Sequence, residues 1–337
     1  MPFPRTLATT AVTVLALVLA GCGASDQPDR DPGTGPVDAP GAEVSGDPDT
    51  WPLTGLRVEQ GQSVKRHPVL VLKLDNTPSS APQEGLGAAD LVVEELVEGG
   101  VTRLAAFYYS DVPGDVGPVR SMRASDIGIV SPVDADVVTS GAAAVTISRI
   151  EDAGIDFFAE GSAGFYRDPS RRAPYNLFTD LRDVAKEARG KPARPVDYLP
   201  FGPADALPAG QPATSVEASF SGSHTTSWTY ADGGYTNVDG YAADGDEFPA
   251  DTVLVLRVPV GDAGYTDPAG NPVPETELDG TGQAMLFHGG RLVRGRWHKD
   301  GLAAPITLTT KAGELTVPPG HTWIELVPAD GGDVTFE

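Results

Sequence analysis

The sequence predicts an α+β protein: an N-terminal α/β-type domain with a central mixed sheet, followed by a smaller, mostly β domain. Three observations carry this. Val69, Leu70, Val71, Leu72 and Leu74 make a nearly continuous apolar run within 68–76, the pattern of a strand covered by helices on both faces. Helical stretches occur only in the first half, whereas beyond residue 215 short apolar runs alternate with Gly, Asp and Pro turns. Between the halves lies a Pro-rich stretch running from Pro192 and Pro195 through Pro203 and Pro208 to Pro212, typical of a domain boundary.

The chain opens with Met1 to Arg5, which carries one side-chain cation, and then an apolar run from Leu7 to Leu19. That run is too short, and too soon followed by Gly and Asp, for a spanning helix, so it reads as the core of a secretory signal. It ends in Leu19-Ala20-Gly21-Cys22, the pattern of a bacterial lipobox. Small residues at 20 and 21 let the peptide enter a signal-peptidase groove, and the Cys22 thiol takes a diacylglycerol before becoming the mature N-terminus. Acyl chains such as palmitate contribute about 0.8 kcal/mol per buried methylene, so two or three anchor stably. Residues 1–21 are therefore expected to be a signal peptide, and the mature chain a lipoprotein on the extracytoplasmic face of the cell membrane. Residues 22–50 follow as the lipidated cysteine and a tether. From 23 to 50 there are seven acids and one Arg among Gly, Pro, Ser and Ala, a composition that cannot offset chain entropy. As a disordered chain it would span roughly 30 Å.

The first folded domain is read as 51–199. After the 68–76 strand, Leu91 to Val97 and Thr102 to Tyr109 read as two strands joined at Gly99-Gly100, and Asp136 to Thr139 as a short one. Ser140-Gly141 introduces a helix from Ala142 to Ala153, and Thr179-Asp180 caps another from Leu181 to Arg189, closed by Gly190. The connector is 200–214. In the β-rich domain, 215–330, the expected strands are Phe220 to Tyr230, Thr252 to Val258, Ala284 to Phe287, Arg291 to Trp297, Ile306 to Thr309 and Thr322 to Val327, with His288-Gly289-Gly290 as a turn.

Composition excludes several function classes. Of 337 residues, 47 are acidic and 24 basic, a formal net charge of −23, which argues against a general nucleic-acid binder. The lone cysteine rules out a disulfide framework, a thiolate zinc site and an iron–sulfur cluster. The acidity is uneven: residues 51–199 hold 16 basic against 21 acidic side chains, and 200–337 hold 6 against 19. Five scattered histidines, no phosphate-binding loop and no dinucleotide fingerprint lead to the expectation of no metal and no cofactor.

Several motifs together carry a resemblance. Trp51-Pro52-Leu53-Thr54-Gly55-Leu56, Leu74-Asp75-Asn76, Ala81-Pro82-Gln83-Glu84-Gly85-Leu86, Glu95 through Arg103, and Gly117-Pro118-Val119-Arg120-Ser121-Met122-Arg123 stand in the first domain. Gly295-Arg296-Trp297-His298-Lys299 and Pro319-Gly320-His321-Thr322-Trp323-Ile324 stand in the second. Over roughly 51–330 the chain resembles the YerB-like family of lipoproteins from Gram-positive bacteria, built of two domains of unknown function. The resemblance implies a two-domain surface lipoprotein and brings no chemistry with it. One departure is Tyr175-Asn176, where the family pattern implies His before the Asn.

The residues that could bind or react cluster at predicted strand ends. Gly117 to Asp126 reads as a turn leading into a short helix with Arg120 and Arg123 near its start, where forked guanidiniums and free N–H groups would favour a carboxylate or phosphate. Cations at that end oppose the helix dipole, although both could equally pair with Glu94, Glu95, Glu98 or Asp126. Asp75-Asn76 ends the most buried strand, where open α/β sheets place ligands, and is also plain turn chemistry. Ser140 either presents its hydroxyl to an anion or caps a helix. Ser121, Asp126, Gln83, Arg103 and Asn176 complete the candidate ligand set. Glu94, Glu95 and Glu98, with Asp75, suit a carboxylate pair flanking a glycosidic bond, and on a continuous strand Glu94 and Glu98 would share a face opposite Glu95. The basic residues from Arg167 to Arg194 form a solvated face or a contact for anionic polymer or headgroups. Trp228, Trp297 and Trp323 are core residues or sugar platforms. The leading expectation is an envelope lipoprotein that binds an anionic wall-associated ligand, or a secreted protein partner, through an Arg-containing pocket without catalysis. The rival is a hydrolase or transferase that modifies peptidoglycan or wall glycan with those carboxylates.

Overall fold

The apolar run at 70–76 folds as the pattern implies. β1 (Leu70–Asn76) is buried along its whole length, Lys73 included. β2 (Leu91–Leu96) and β3 (Thr102–Tyr108) pair antiparallel, and β3 pairs antiparallel with β1. Between β2 and β3 the chain reverses through Gly99 and Gly100, with φ of 77° and 74°, a conformation that a Cβ opposes. The computed structural model describes residues 46–190 and 193–337. The expected signal peptide, the expected lipidation site at Cys22 and nearly all of the expected tether lie outside the described residues.

Helices are confined to the N-terminal half. α1 (Asp126–Val130) precedes the Asp136–Val138 strand, which pairs parallel with β1. α2 (Ala144–Asp152) and α3 (Leu181–Glu187) fall within the expected ranges. Asp180 caps α3 by accepting the Arg182 N–H at 3.1 Å. The expected helix over Arg120 and Arg123 is not formed. Val119 bridges Leu74 at the end of β1, and the Arg120 N–H donates to the Lys73 carbonyl at 2.7 Å, so this segment is an extended edge. The helix starts only at Asp126, whose carboxylate accepts the Arg123 N–H at 2.7 Å.

The C-terminal half is β. Thr252–Val258, Gly280–His288, Arg291–Lys299 and Thr307–Thr310 continue the main sheet, and the Thr322–Pro328 strand joins the halves. That strand lies parallel to both neighbours, Thr252–Val258 on one side and β2 on the other. One twelve-stranded sheet therefore runs through both halves on either side of the connector. Phe220 to Tyr230 is not one strand. Ser215–Ser219 and Thr225–Ala231 pair antiparallel, and the Phe220 N–H closes the turn on the His224 carbonyl at 3.0 Å. With Gly234–Asn237 and Asp333–Phe336 they form a smaller sheet, while Val260–Thr266 and Pro272–Thr276 form a hairpin.

Each face of the main sheet carries its own apolar core. Val71, Val93, Phe107 and Ile324 belong to one, and Leu72, Val92, Ala106 and Trp323 to the other. Trp228, Trp297 and Trp323 are core residues, each 2% exposed or less.

Candidate functional site

Asp75 and Asn76 are consecutive at the end of β1, so their side chains leave opposite faces of the sheet. The candidate residues divide the same way.

On the Asp75 face the charges lock one another. Lys73 Nζ lies 2.7 Å from both Glu95 Oε1 and Asp126 Oδ1, and all three side chains are fully buried. Burial works against the Lys73 charge, but Asp126 and Glu95 outweigh it and hold the ammonium above its ordinary range. Glu98 accepts from Arg103 Nη2 at 3.0 Å, from Arg123 Nε at 2.9 Å and from Arg123 Nη2. Its own burial would raise its carboxyl, yet the Arg123 hydrogen bond and the charges of Arg103 and Arg123 bring it below the usual range. Burial, with Arg123 alongside, lowers Arg103 to about 10. Arg103 also donates to the Ser121 carbonyl at 2.9 Å, and the Ser121 and Ser140 hydroxyls meet at 3.1 Å.

Arg120 differs from the other two. Its Nε lies 2.9 Å from Asp75 Oδ2, its guanidinium is 5.2 Å from the Tyr175 ring centroid, and its side chain is 22% exposed. Asn176 belongs to neither face cluster, because its Oδ1 accepts from Arg167 Nη1 at 2.7 Å in a separate loop. Of the basic run, Arg167, Arg171, Arg182, Lys186 and Arg194 are each paired with a nearby carboxylate.

The expectation that Glu94 and Glu98 share a face is overturned. β2 ends at Leu96, and the turn that follows carries Glu98 to Arg103 and Arg123, beside the Glu95 cluster. Glu94 points the other way. Its Oε1 accepts from Asn76 Nδ2 at 3.0 Å, Thr102 Oγ1 at 2.6 Å and Thr226 Oγ1 at 2.9 Å, and it lies 2.9 Å from His224 Nε2. Trp323 Nε1 donates to its other oxygen at 3.2 Å. Across the parallel strand pair its partner is Glu325, whose Oε1 accepts Trp228 Nε1 at 2.7 Å.

Both glutamates are fully buried, and their environments push them apart. Burial and the neighbouring Glu94 charge drive Glu325 well above the ordinary carboxylate range. Burial would raise Glu94 too, but hydrogen bonding and charge from His224 overcome it and hold it low. His224 answers in kind: burial alone would lower it, and the Glu94 contact raises it. The surroundings thus favour the proton on Glu325 rather than on Glu94 and favour the charged form of His224, the direction expected when two adjacent carboxyls compete beside an imidazole.

Gln83 stands beside Asn76, donating through Nε2 to the Asp75 carbonyl at 2.6 Å. Both amides line a cavity of about 670 Å³ whose floor includes Trp228 and Trp323 and whose rim is the 231–251 segment. Sequence reading missed Lys73, His224, Thr226 and Glu325. Lys73 and Glu325 each carry a signal: Glu325 is the one charge in its strand, and Lys73 interrupts the apolar run of β1 two residues before Asp75. His224, in a Ser-Gly-Ser turn, carries none. Among the described residues no group of three or more His, Cys, Asp or Glu is placed to hold a metal ion.

Comparison with known proteins extends over most of the chain. The N-terminal domain model of DUF3048, a protein family of unknown function, matches residues 53–194, and its C-terminal domain model matches 215–324. A candidate lipoprotein of Bacillus subtilis (strain 168), YerB, is 28% identical over 291 residues, covering 82% of this chain and 86% of the relative. The crystal structure of the YerB protein from Bacillus subtilis superposes with a TM-score of 0.70 at 23% identity, over 85% of this chain and 99% of that one, and so shares the fold. With both halves matched in order, the chain belongs to the YerB-like family of two-domain DUF3048 proteins.

Proposed function

We propose that this chain is a lipid-anchored binding protein of the extracytoplasmic membrane face, which takes an anionic wall-associated ligand or partner at Arg120 without chemical turnover. Two things support the address: the Leu19-Ala20-Gly21-Cys22 lipobox, and a relative described as a candidate lipoprotein. Binding is favoured over glycan cleavage by the state of the carboxylates. Glu94 and Glu95 have no exposed surface, and Glu98 is fixed between two arginines, so no acid–base pair from this set faces a substrate.

The observation that carries the reading is Arg120. It meets Asp75 through Nε, and neither Nη makes a hydrogen bond among the described residues, so the forked end of the guanidinium is open to an oxyanion. The Ser121 and Ser140 hydroxyls stand nearby as donors. The test is co-sedimentation and thermal shift of the mature chain with purified anionic wall polymers and muropeptides, with mass spectrometry of the same samples. Arg120→Ala should abolish a stabilisation that in wild type weakens with salt, and the polymer should emerge unchanged. Binding that survives Arg120→Ala refutes the site, and new muropeptide products refute the non-catalytic reading.

A further inference from the structure

We infer that the cavity on the Asn76 face is a second binding site, built for an organic cation that donates hydrogen bonds, an alkylammonium. Its volume of about 670 Å³ lies in the range of small-molecule sites. The floor decides what kind of ligand fits. Both amide hydrogens of Asn76 are engaged, by Glu94 at 3.0 Å and Thr102 at 2.9 Å, which leaves Oδ1 with only a 3.4 Å contact from Gln83. Gln83 gives its Nε2 to the Asp75 carbonyl, and among the described residues its Oε1 has no partner. These orientations follow from chemistry, because an ionised carboxylate and a backbone carbonyl can only accept. The indole N–H groups of Trp228 and Trp323 are likewise turned inward, to Glu325 and Glu94. Asn76 and Gln83 are 5% and 1% exposed, so what the floor offers a ligand is fixed acceptor oxygens.

Charge selects in the same direction. Asp232, Asp244 and Glu247 stand exposed around the cavity, and among the described residues no Lys, Arg or His lines it. These rim carboxylates set up a negative field that repels anions and concentrates cations. Tyr235, Tyr241 and Phe248 supply aromatic surface, which attracts an ammonium through the ring quadrupole. The wall is held in place before any ligand arrives. Gln83 exchanges backbone hydrogen bonds with Tyr241 and Ala243, and the Asp246 carboxylate accepts the N–H groups of Gly85 and Gly87. Such a preformed site loses little ordering entropy on binding. The inference is independent of Arg120, which does not line this cavity.

Binding is measured by calorimetry, and by the fluorescence of the floor tryptophans, on the mature lipoprotein in neutral detergent. The probes are glucosamine, its neutral counterpart N-acetylglucosamine, lysinamide and acetate. Glucosamine and lysinamide should bind and weaken as salt rises, while N-acetylglucosamine and acetate should not compete. Preference for one of the two amines assigns the source, an amino sugar or a peptide ammonium. Asp244→Asn/Glu247→Gln changes two exposed rim residues and leaves the fold intact. At a screened separation near 6 Å each carboxylate is worth about threefold, so the pair should raise the Kd about tenfold. The inference is overturned if N-acetylglucosamine binds as tightly as glucosamine, if acetate displaces the amines, if the double variant binds like wild type, or if no amine binds at millimolar concentration.

Discussion

Replacing Lys73 with Met tests the charge lock on the Asp75 face. The ammonium sits 2.7 Å from each of two fully buried carboxylates, so Lys73→Met strands Glu95 and Asp126 together. Removing one partner of a buried pair costs about 3–5 kcal/mol, and two stranded acids put the cost near the upper figure at neutral pH. With about 2–4 °C of Tm per kcal/mol for a domain of this size, the loss should be roughly 10–20 °C by calorimetry. Two further results distinguish this account from a simple packing defect. Acid should relieve the variant, because protonating Glu95, which burial already pushes up, removes the repulsion between the stranded pair, so its deficit at pH 5 should be well under that at pH 7.5. The uncharged triple variant Lys73→Met/Glu95→Gln/Asp126→Asn should recover to within about 1 kcal/mol of wild type. A Lys73→Met protein that loses under about 1 kcal/mol, or a deficit that does not change with pH, would refute the reasoning.

Glu325→Gln should be nearly silent, within about 1 kcal/mol, because burial and the Glu94 charge already favour its neutral form, whereas Glu94→Gln should cost roughly 2–4 kcal/mol; urea unfolding compares them. His224 is raised, so its contribution is complete below about pH 6.5 and fades as pH climbs through its folded value; the stability gap between wild type and His224→Gln should therefore narrow above neutrality. Asp136 is pushed up to about 7 by burial and by Asp156 and Asp134, so folding favours its protonated form and stability falls as pH rises from about 4 to 7. Asp136→Asn should match wild type near pH 4 and exceed it at pH 8 by roughly 1–2 kcal/mol, a value discounted for water reaching the group.

What was legible in the sequence follows physical lines. β1, β2 and the Thr252–Val258 strand are buried on both faces, so their largely apolar runs stand out from the flanking turns. α3 announces itself through Asp180, and the β2–β3 turn through paired glycines. Strands such as Ser215–Ser219 and Val260–Thr266 are half exposed and rich in Ser, Gly or Asp, which read as loop until a partner strand satisfies their backbone. The site was legible in pieces: Arg103, Arg120, Arg123, Glu98 and Asp126 do gather, and Asn76 and Gln83 do meet. Which charges cancel was not legible, since Glu94 meets Glu325 only through strand register and His224 through a separate hairpin. The assumption of a continuous strand to residue 98 misplaced Glu98, because side-chain alternation stops where the ladder stops.

The strand that joins the two halves gives the molecule an order of assembly. β2 and the Thr252–Val258 strand both wait for Thr322–Pro328, which is synthesised long after either of them. Until it arrives, each presents an open edge of unpaired amides and carbonyls, and the acids at 94 and 325 have not met. A chain caught short of this strand has its sheet cut down the middle. The same design makes truncation before Thr322 a route to aggregation rather than to a smaller soluble protein.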